Sequence, residues 1–186
     1  YELDVLFGVS TDSFDSLGLV TAVTPDATLD LAALAAACRR AEGVVAKRYP
    51  PYSQARVDGR SLLSWGPLGV TMERPVATRT LYAVELVAAH RRDGRATVDE
   101  AVRRASLPRG DFRQREIAAR WRAHERTLAA ASMPFASLRV TCSAGTYMRA
   151  LAVDLGAALA LASMAWRIRR VRAGDLTLDG AVRLEP

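Results

Sequence analysis

Residues 138–151 read LRVTCSAGTYMRAL and combine the patterns of a strand, a turn and a helix start. Leu138, Val140 and Cys142 alternate with polar side chains, as in a half-buried strand. The small and polar residues SAGT follow, and an apolar spacing of three to four residues then begins at Tyr147. This spacing predicts a helix, with an apolar face formed by Tyr147, Leu151, Leu155 and Leu159.

Similar patterns occur on the N-terminal side of this stretch. Alternating apolar residues from Tyr1 to Phe7 predict a strand at the first residue, and we therefore expect the sequence to belong to a longer protein. Leu19 to Val23 predict a second strand, joined to the first as a hairpin by polar residues. A helix is predicted over residues 28–41, with Leu31, Leu34, Cys38 and Ala41 on one face.

Further along the chain, residues 47–53 contain Pro50 and Pro51 and are predicted to be an extended loop. Val76 to Leu86 show the clearest alternation in the sequence, which predicts a strand. Residues 167–172 form a basic, strand-like run near the end. Together these patterns predict one α+β domain over residues 1–186.

Residues 89–135 differ in composition from the rest of the chain. We predict a charged loop, then a helix that begins with the capping box Thr97-Val98-Asp99-Glu100. A longer helix follows, with Ile117, Trp121 and Leu128 at helical spacing. We interpret this segment as an Arg-rich helical insertion in the domain.

The charge is concentrated in two places. The chain has 26 basic residues against 20 acidic ones, a net charge of +6. Residues 90–126 hold 11 arginines against six acids, and residues 167–172 add four arginines with no acid. Such basic surfaces favour an anionic partner, most simply nucleic acid.

Several classes of protein are disfavoured. No apolar run reaches the roughly 18 residues of a membrane span. Cys38 and Cys142 fall on a predicted helix and strand with no signal peptide before them, which indicates a reducing compartment. With only His90 and His124 to join them, a metal site is not expected. Phosphate-loop, dinucleotide, zinc-protease and nucleophile-elbow motifs are absent from the sequence.

The remaining candidates are aromatic and arginine residues in loops and at helix starts: Tyr1, Tyr52, Tyr147, Arg149 and the 167–172 run. Aromatic rings stack on unpaired bases, and guanidinium groups bind phosphates. This combination favours RNA with splayed bases.

Three motifs carry a resemblance to a known family. The series SAGTYMRAL (143–151), DLG (154–156), IRR (168–170) and Gly174 is similar to the C-terminal signature of the TruB family of RNA pseudouridine synthases. Tyr1, Gly8, TDS (11–13), Asp15 and Gly18 resemble the family's Y…G…TDT-x-D-x-x-G segment, and PPYS (50–53) with Arg56 and Gly59 resembles its PP-x-YSA-x-K-x-x-G loop. Three motifs in the family order make a specific signal.

The resemblance implies a mostly antiparallel mixed sheet flanked by helices. It also implies an isomerisation without cofactor or metal, in which a uridine is flipped out of a stem-loop and its base is rejoined through carbon. The implied partner is tRNA or rRNA, with ribosomal or assembly-particle proteins as further candidates and no membrane. The reducing compartment that the two cysteines indicate is expected to be the cytoplasm or an organelle matrix.

Roles for individual residues also follow from the resemblance. Tyr1 is expected against the flipped base, Tyr147 in the pocket lining, and Arg149 beside the catalytic aspartate. Ile168 is expected to close the apolar floor, so that these four residues share one cavity, and Thr146 is expected to cap the helix. Further substrate contacts are expected at Tyr52, Arg56, Arg169 and Arg170.

The nucleophilic aspartate of the family lies in a G-T-L-D-P-x-A loop that this sequence does not contain, and we expect the C-terminal PUA module to be absent as well. Asp30 lies in a similar TLDLA stretch, but we interpret it as a carboxylate in the first turn of a helix. The sequence also departs from the family pattern at Lys47, Arg56, Leu63, Pro67 and Arg79.

Three functions remain open at this point. The first is an active synthase whose aspartate lies in a preceding segment. The second is a catalytically silent relative that binds RNA as a chaperone, a ribosome assembly factor or a ribonucleoprotein component. The third is a protein-interaction subunit that retains the fold alone.

Overall fold

A computed structural model describes residues 1–65 and 73–182. Pro67, where the family pattern has an arginine, lies outside the described residues. The strands are β1 (Glu2–Phe7), β2 (Val9–Thr11), β3 (Val20–Val23), β4 (Gly43–Arg48), β5 (Arg56–Val57), β6 (Arg60–Ser61), β7 (Val76–Asp93), β8 (Ser132–Cys142), β9 (Ser163–Arg169), β10 (Arg172–Ala173) and β11 (Leu176–Thr177). The helices are α1 (Leu31–Ala41), α2 (Leu62–Trp65), α3 (Gly94–Ala105), α4 (Gln114–Ala123), α5 (Glu125–Ala129) and α6 (Met148–Ala158).

The centre of the fold is a five-stranded sheet in the order β4-β7-β8-β1-β9, and every neighbouring pair is antiparallel. This confirms the predicted α+β class with a mostly antiparallel sheet. The longest pairing joins β7 to β8, from Leu81 opposite Cys142 to Asp93 opposite Ser132. Short two-stranded hairpins, β2-β3, β5-β6 and β10-β11, lie outside this sheet.

Two hydrophobic cores cover the two faces of the sheet. Because successive side chains of a strand point to opposite faces, Leu3 and Phe7 of β1 contribute to one core and Leu6 to the other. The first core also contains Leu34 of α1 and Leu151 of α6. The first turn of α6 is thereby fixed against the sheet.

The second core brings the Arg-rich segment onto the sheet. Val98 of α3, Trp121 of α4 and Leu128 of α5 are buried there together with Phe135 of β8 and Trp166 of β9. The Trp166 ring lies edge-on to both Trp121 and Phe135, with centroids 6.4 and 5.5 Å apart. The helices of residues 94–129 are therefore packed through a shared aromatic core.

Several strand boundaries differ from the sequence-based prediction. The strand predicted over Leu19 to Val23 is observed as β3 from Val20 to Val23, but its hairpin partner is Val9–Thr11, because β1 is paired on both sides by β8 and β9. Lys47 and Arg48, predicted in a loop, end the edge strand β4, whose pairing with β7 stops before the prolines. The charged loop predicted after residue 89 is instead the continuation of β7 to Asp93.

Three helices also differ from their predictions. Helix α1 begins at Leu31 and not at residue 28, because the Asp30 carboxylate caps it by accepting hydrogen bonds from the amides of Ala32 and Ala33. Leu31, predicted on the apolar face, is half-exposed. Helix α3 begins at Gly94 with Asp93 as its cap, so the predicted capping box at Thr97 lies inside the helix. The predicted long helix is divided at His124 into α4 and α5.

Both cysteines are free thiols; Cys38 is buried and Cys142 is partly buried. Within the described ranges, no group of three or more histidine, cysteine or acidic residues is arranged to bind a metal ion. No helix in the same ranges combines the length and apolarity needed to cross a bilayer.

Candidate functional site

Arg149 in the first turn of α6 connects two loops. Its guanidinium donates hydrogen bonds to the carbonyl of Ser13 at 2.7 Å and to those of Pro51 and Tyr52 at 3.3 and 3.2 Å. Its side chain is only 16% exposed. Arg149 therefore holds residues 11–19, defined here as the TDS loop, and residues 49–55, defined here as the Pro-Pro loop, against the sheet.

The same guanidinium forms an ion pair with the TDS loop, in which Arg149 Nη1 lies 3.3 Å from Asp15 Oδ2. The other carboxylate oxygen of Asp15 accepts hydrogen bonds from the Ser13 hydroxyl at 2.7 Å and the Leu17 amide at 3.0 Å. Asp15 is thus fixed by its own loop. Arg149 was expected beside the catalytic aspartate, which this sequence does not contain; in this structure its acidic partner is Asp15.

A second ionic cluster joins the two loops to the start of α4. The Arg113 guanidinium donates to Asp12 Oδ2 at 2.8 Å, and its carbon lies 4.8 Å from the centre of the Tyr52 ring. The Tyr52 hydroxyl donates to the same Asp12 oxygen at 3.2 Å. Burial, reinforced by the negative charge of Asp12, raises the pKa of Tyr52. The phenol is therefore a neutral hydrogen-bond donor at physiological pH.

These groups border a cavity of about 540 Å³. One group of lining residues comes from the two loops, α6 and β9: Asp15, Tyr52, Arg149 and Ile168. A second group comes from residues 105–117 and includes Phe112, Arg113 and Ile117. The volume lies within the range of about 300–1,000 Å³ that is typical of small-ligand pockets.

Two residues that line the cavity have a left-handed backbone. Tyr52 has a φ of +54° and Arg113 has a φ of +61°. A side chain larger than glycine is strained in this region, at a cost of about 1–3 kcal/mol. Such strain is concentrated at binding and catalytic sites, which supports a functional role for the cavity.

Three of the predicted site residues, Tyr52, Arg149 and Ile168, line this cavity. Tyr147 does not line it: its ring packs edge-on against Tyr49, at 5.3 Å between centroids, in a separate small pocket beside Arg79. Tyr1 also lies elsewhere, because its hydroxyl accepts a 2.7 Å hydrogen bond from Arg170 and its ring lies under that guanidinium.

The prediction that Tyr1, Tyr147, Arg149 and Ile168 share one cavity is therefore wrong for the described residues. Tyr1 borders a third cavity, with Val140 and Cys142. The physical reason is that each tyrosine has its own aromatic or cationic partner, which holds its ring outside the space that Arg149 and Ile168 line.

The other predicted residues are dispersed. Tyr147 is the N-terminal cap of α6 and makes no side-chain cap hydrogen bond. Thr146 instead donates its hydroxyl to the Ser143 carbonyl at 2.8 Å, so the predicted cap at Thr146 is wrong. Arg56 bonds to the Gly59 carbonyl within the β5-β6 hairpin, and Arg169 pairs with Glu2 at 3.4 Å.

The acidic partners of Arg113 and Arg149 were not identified from the sequence. The residues after α3 that line the cavity were not identified from it either. Asp12 and Asp15 belong to the motif that contains TDS (11–13). Their partners, Arg113 for Asp12 and Arg149 for Asp15, lie more than 100 residues away in the sequence. Phe112 was indicated only by its place in residues 90–126, defined here as the basic segment. The one further feature in the sequence is that Phe112 is a single aromatic residue among charged and polar ones.

The basic segment is partly neutralised by its own acids. Arg103 and Arg104 both bond to Glu100, and these hydrogen bonds lower the pKa of the Glu100 carboxyl to about 2. Arg95 and Arg122 also have acidic partners, Glu125 and Asp99 respectively. Among the described residues, the arginines of this segment that have neither an ion pair nor a side-chain hydrogen bond are Arg92, Arg109, Arg115, Arg120 and Arg126.

Comparison with known proteins agrees with this architecture. Residues 1–106 match the family model described as "TruB family pseudouridylate synthase (N terminal domain)". The whole chain aligns with proteins named tRNA pseudouridine synthase B, at 33% identity for Cupriavidus metallidurans and 31% for Cupriavidus pinatubonensis, covering 46% of each relative. The relative from Burkholderia mallei NCTC 10247 is 31% identical, with 47% covered.

The chain thus spans about half the length of the curated relatives that it matches. The family model covers more than half of the chain, including the TDS and Pro-Pro loops that Arg149 holds together. On these grounds, the chain belongs to the TruB family of pseudouridylate synthases.

Proposed function

We propose that this protein isomerises a uridine to pseudouridine in a structured RNA such as a tRNA stem-loop. The observation that carries the proposal is the cavity where Arg149 meets Ile168 and Tyr52. Its lining combines a half-exposed aliphatic side chain, an aromatic ring and a guanidinium. An unpaired base requires an apolar contact for its faces and polar groups for its edge.

In this proposal Arg149 acts as an electrostatic and positioning group. Its guanidinium already holds one carboxylate, that of Asp15, at 3.3 Å. The family's nucleophilic aspartate belongs to the G-T-L-D-P-x-A loop, which this sequence does not contain. Placed beside Arg149, that carboxylate would be held ionised, because a nearby opposite charge favours the charged form.

The charge of the chain supports RNA as the partner. Four exposed arginines of residues 90–126 have neither an acidic partner nor a side-chain hydrogen bond among the described residues: Arg109, Arg115, Arg120 and Arg126. Unpaired guanidinium groups on a packed surface are suited to phosphate contacts. The relatives are named for action on tRNA, which favours tRNA as the substrate.

The test is conversion of uridine in a tRNA stem-loop by the full-length protein, followed by nuclease digestion and quantification of pseudouridine. We expect conversion by the unsubstituted protein and a loss of at least about 100-fold in Arg149→Ala, because the variant removes a charge-stabilising group. Arg95→Ala is the matched control, since Arg95 is exposed and lies outside the cavity.

The results distinguish the functions left open by the sequence. Absence of pseudouridine with a panel of stem-loops would refute the synthase proposal. Tight RNA binding without conversion would favour the silent RNA-binding relative. Absence of both would leave the protein-interaction role.

A further inference from the structure

The loop between α3 and α4, residues 106–113, presents an exposed aromatic side chain at the cavity. Phe112 is 55% exposed and lines the cavity together with Arg113 and Ile117. Phe112 lies beyond residues 1–106, the part of the chain that matches the family model. An exposed phenyl ring at the edge of a cavity has a free aromatic face that a planar ligand can contact.

The backbone that carries Phe112 is held in place from both sides. The Gln114 side chain accepts a hydrogen bond from the Phe112 amide at 2.9 Å and donates to the carbonyls of Pro108 and Gly110, at 3.1 and 2.5 Å. Ala105 before the loop and Ile117 after it are buried in the second core. The ring is therefore displayed from an ordered loop, which reduces the entropy lost when a ligand binds.

Arg113 connects this loop to the rest of the site. Its hydrogen bond to Asp12 and its stacking on Tyr52 join the start of α4 to the TDS and Pro-Pro loops. Arg113 directly follows Phe112 in the chain, has a left-handed backbone with a φ of +61°, and also lines the cavity. The cavity thus has an aromatic ring on each of two separate segments, Tyr52 on one and Phe112 on the other.

The chemistry of this part of the cavity suits an unpaired nucleobase. A base has two apolar faces that stack on aromatic rings, and the phosphate of the same nucleotide is attracted by the surrounding arginines. The stretch that contains Phe112, residues 90–126, has 11 arginines against six acids. We propose that Phe112 stacks on an unpaired base of the bound RNA, which rests on the proposed function and adds a recognition residue on the loop between α3 and α4.

Binding of a stem-loop RNA with 2-aminopurine in its loop tests this inference, because stacking quenches the fluorescence of that base. The full-length protein is compared with Phe112→Ala, Phe112→Leu and Phe112→Trp. Leu107→Ala is the matched control, since Leu107 is 63% exposed on the same loop but does not line the cavity. Equal melting temperatures for all variants establish that folding is unchanged.

We expect binding to weaken about 5- to 100-fold in Phe112→Ala, the range for loss of one stacked base. Phe112→Trp should retain the quenching and Phe112→Leu should lose it. Binding and quenching by Phe112→Ala equal to those of Leu107→Ala overturn the inference and leave the proposed function intact. Equal quenching by Phe112→Leu reduces the contact to apolar packing and also overturns it. A failure of the unsubstituted protein to bind RNA overturns both.

Discussion

Replacement of Arg149 by alanine should destabilise the fold as well as the site. The side chain donates to three backbone carbonyls, those of Ser13, Pro51 and Tyr52, and pairs with Asp15. Its loss leaves two loops without their shared donor. Apart from one bridge between Asp15 and Ala165 of β9, these loops lie outside the strands of the central sheet, so we expect them to lose their fixed positions first.

The loss in free energy of unfolding follows from the number of hydrogen bonds that Arg149 makes. A hydrogen bond to a charged group contributes about 1.5–3 kcal/mol, but water can reach the vacated space beside the cavity, so we take about 1 kcal/mol for each carbonyl. Asp15 keeps two hydrogen bonds from its own loop, so the larger penalty of an unpaired buried charge does not apply. The total is about 3 kcal/mol, or a fall of about 6–12 °C in melting temperature for a chain of this size.

Thermal and urea unfolding, followed by tryptophan fluorescence, measure this effect. Arg149→Lys keeps the charge but a single ammonium cannot reach all three carbonyls, so it should recover only part of the loss. Arg139→Ala is the control, since Arg139 is exposed and its one acidic partner among the described residues is the exposed Glu85. A melting temperature of Arg149→Ala within about 2 °C of the unsubstituted protein would refute the reasoning.

Four further predictions concern other parts of the chain. The pKa of Glu100 is lowered to about 2, so its stabilising effect should be complete above about pH 4.5 and lost as the pH falls towards 2; denaturation of Glu100→Gln from pH 2 to 6 measures this, and a pH-independent difference contradicts it. A methyl group at Gly94 would overlap the Leu128 carbonyl, so Gly94→Ala should lose about 3 kcal/mol, whereas Gly59→Ala, in open space with positive φ, should lose about 1 kcal/mol in the same unfolding assay. Neutralising both Arg115 and Arg120 should reduce the slope of RNA affinity against salt by about two, and an equal effect of the paired Arg95 would argue against phosphate contacts. Burial raises the pKa of Cys38, so a thiol reagent at pH 8 should modify Cys142 rapidly and Cys38 only after unfolding; two equal fast phases would contradict this.

Local patterns predicted much of the sheet and its helices. Strands β1, β7 and β8 and helix α6 were predicted from alternation and helical spacing, because one face of each is buried in a core. Strand β4 was missed because a glycine directly after a predicted helix, as at Gly43, is typical of a helix end. In the structure Gly43 has a φ of +100° and also begins the strand.

The candidate site was less predictable than the fold. Arg149 and Tyr52 were identified through motifs, and both line the cavity. The pairing of Arg113 with Asp12 depends on how α4 packs, over a separation of 101 residues, and no local pattern specifies it. Tyr147 illustrates the converse, because its motif indicated a pocket residue while packing against Tyr49 holds it in a different place.

The junction between the long ribbon of β7 and β8 and the helices has a consequence for how family members can vary. Asp93 and Ser132 face each other as the last pair of the ribbon, and the Gly94 amide donates to the Ala131 carbonyl. The chain therefore leaves and re-enters the sheet at one point, where segments can be exchanged over evolutionary time without shifting strand register. A shorter segment in place of α3–α5 would have to cover the Phe135 and Trp166 side chains. If it did not, we expect smaller or polar side chains at these two positions.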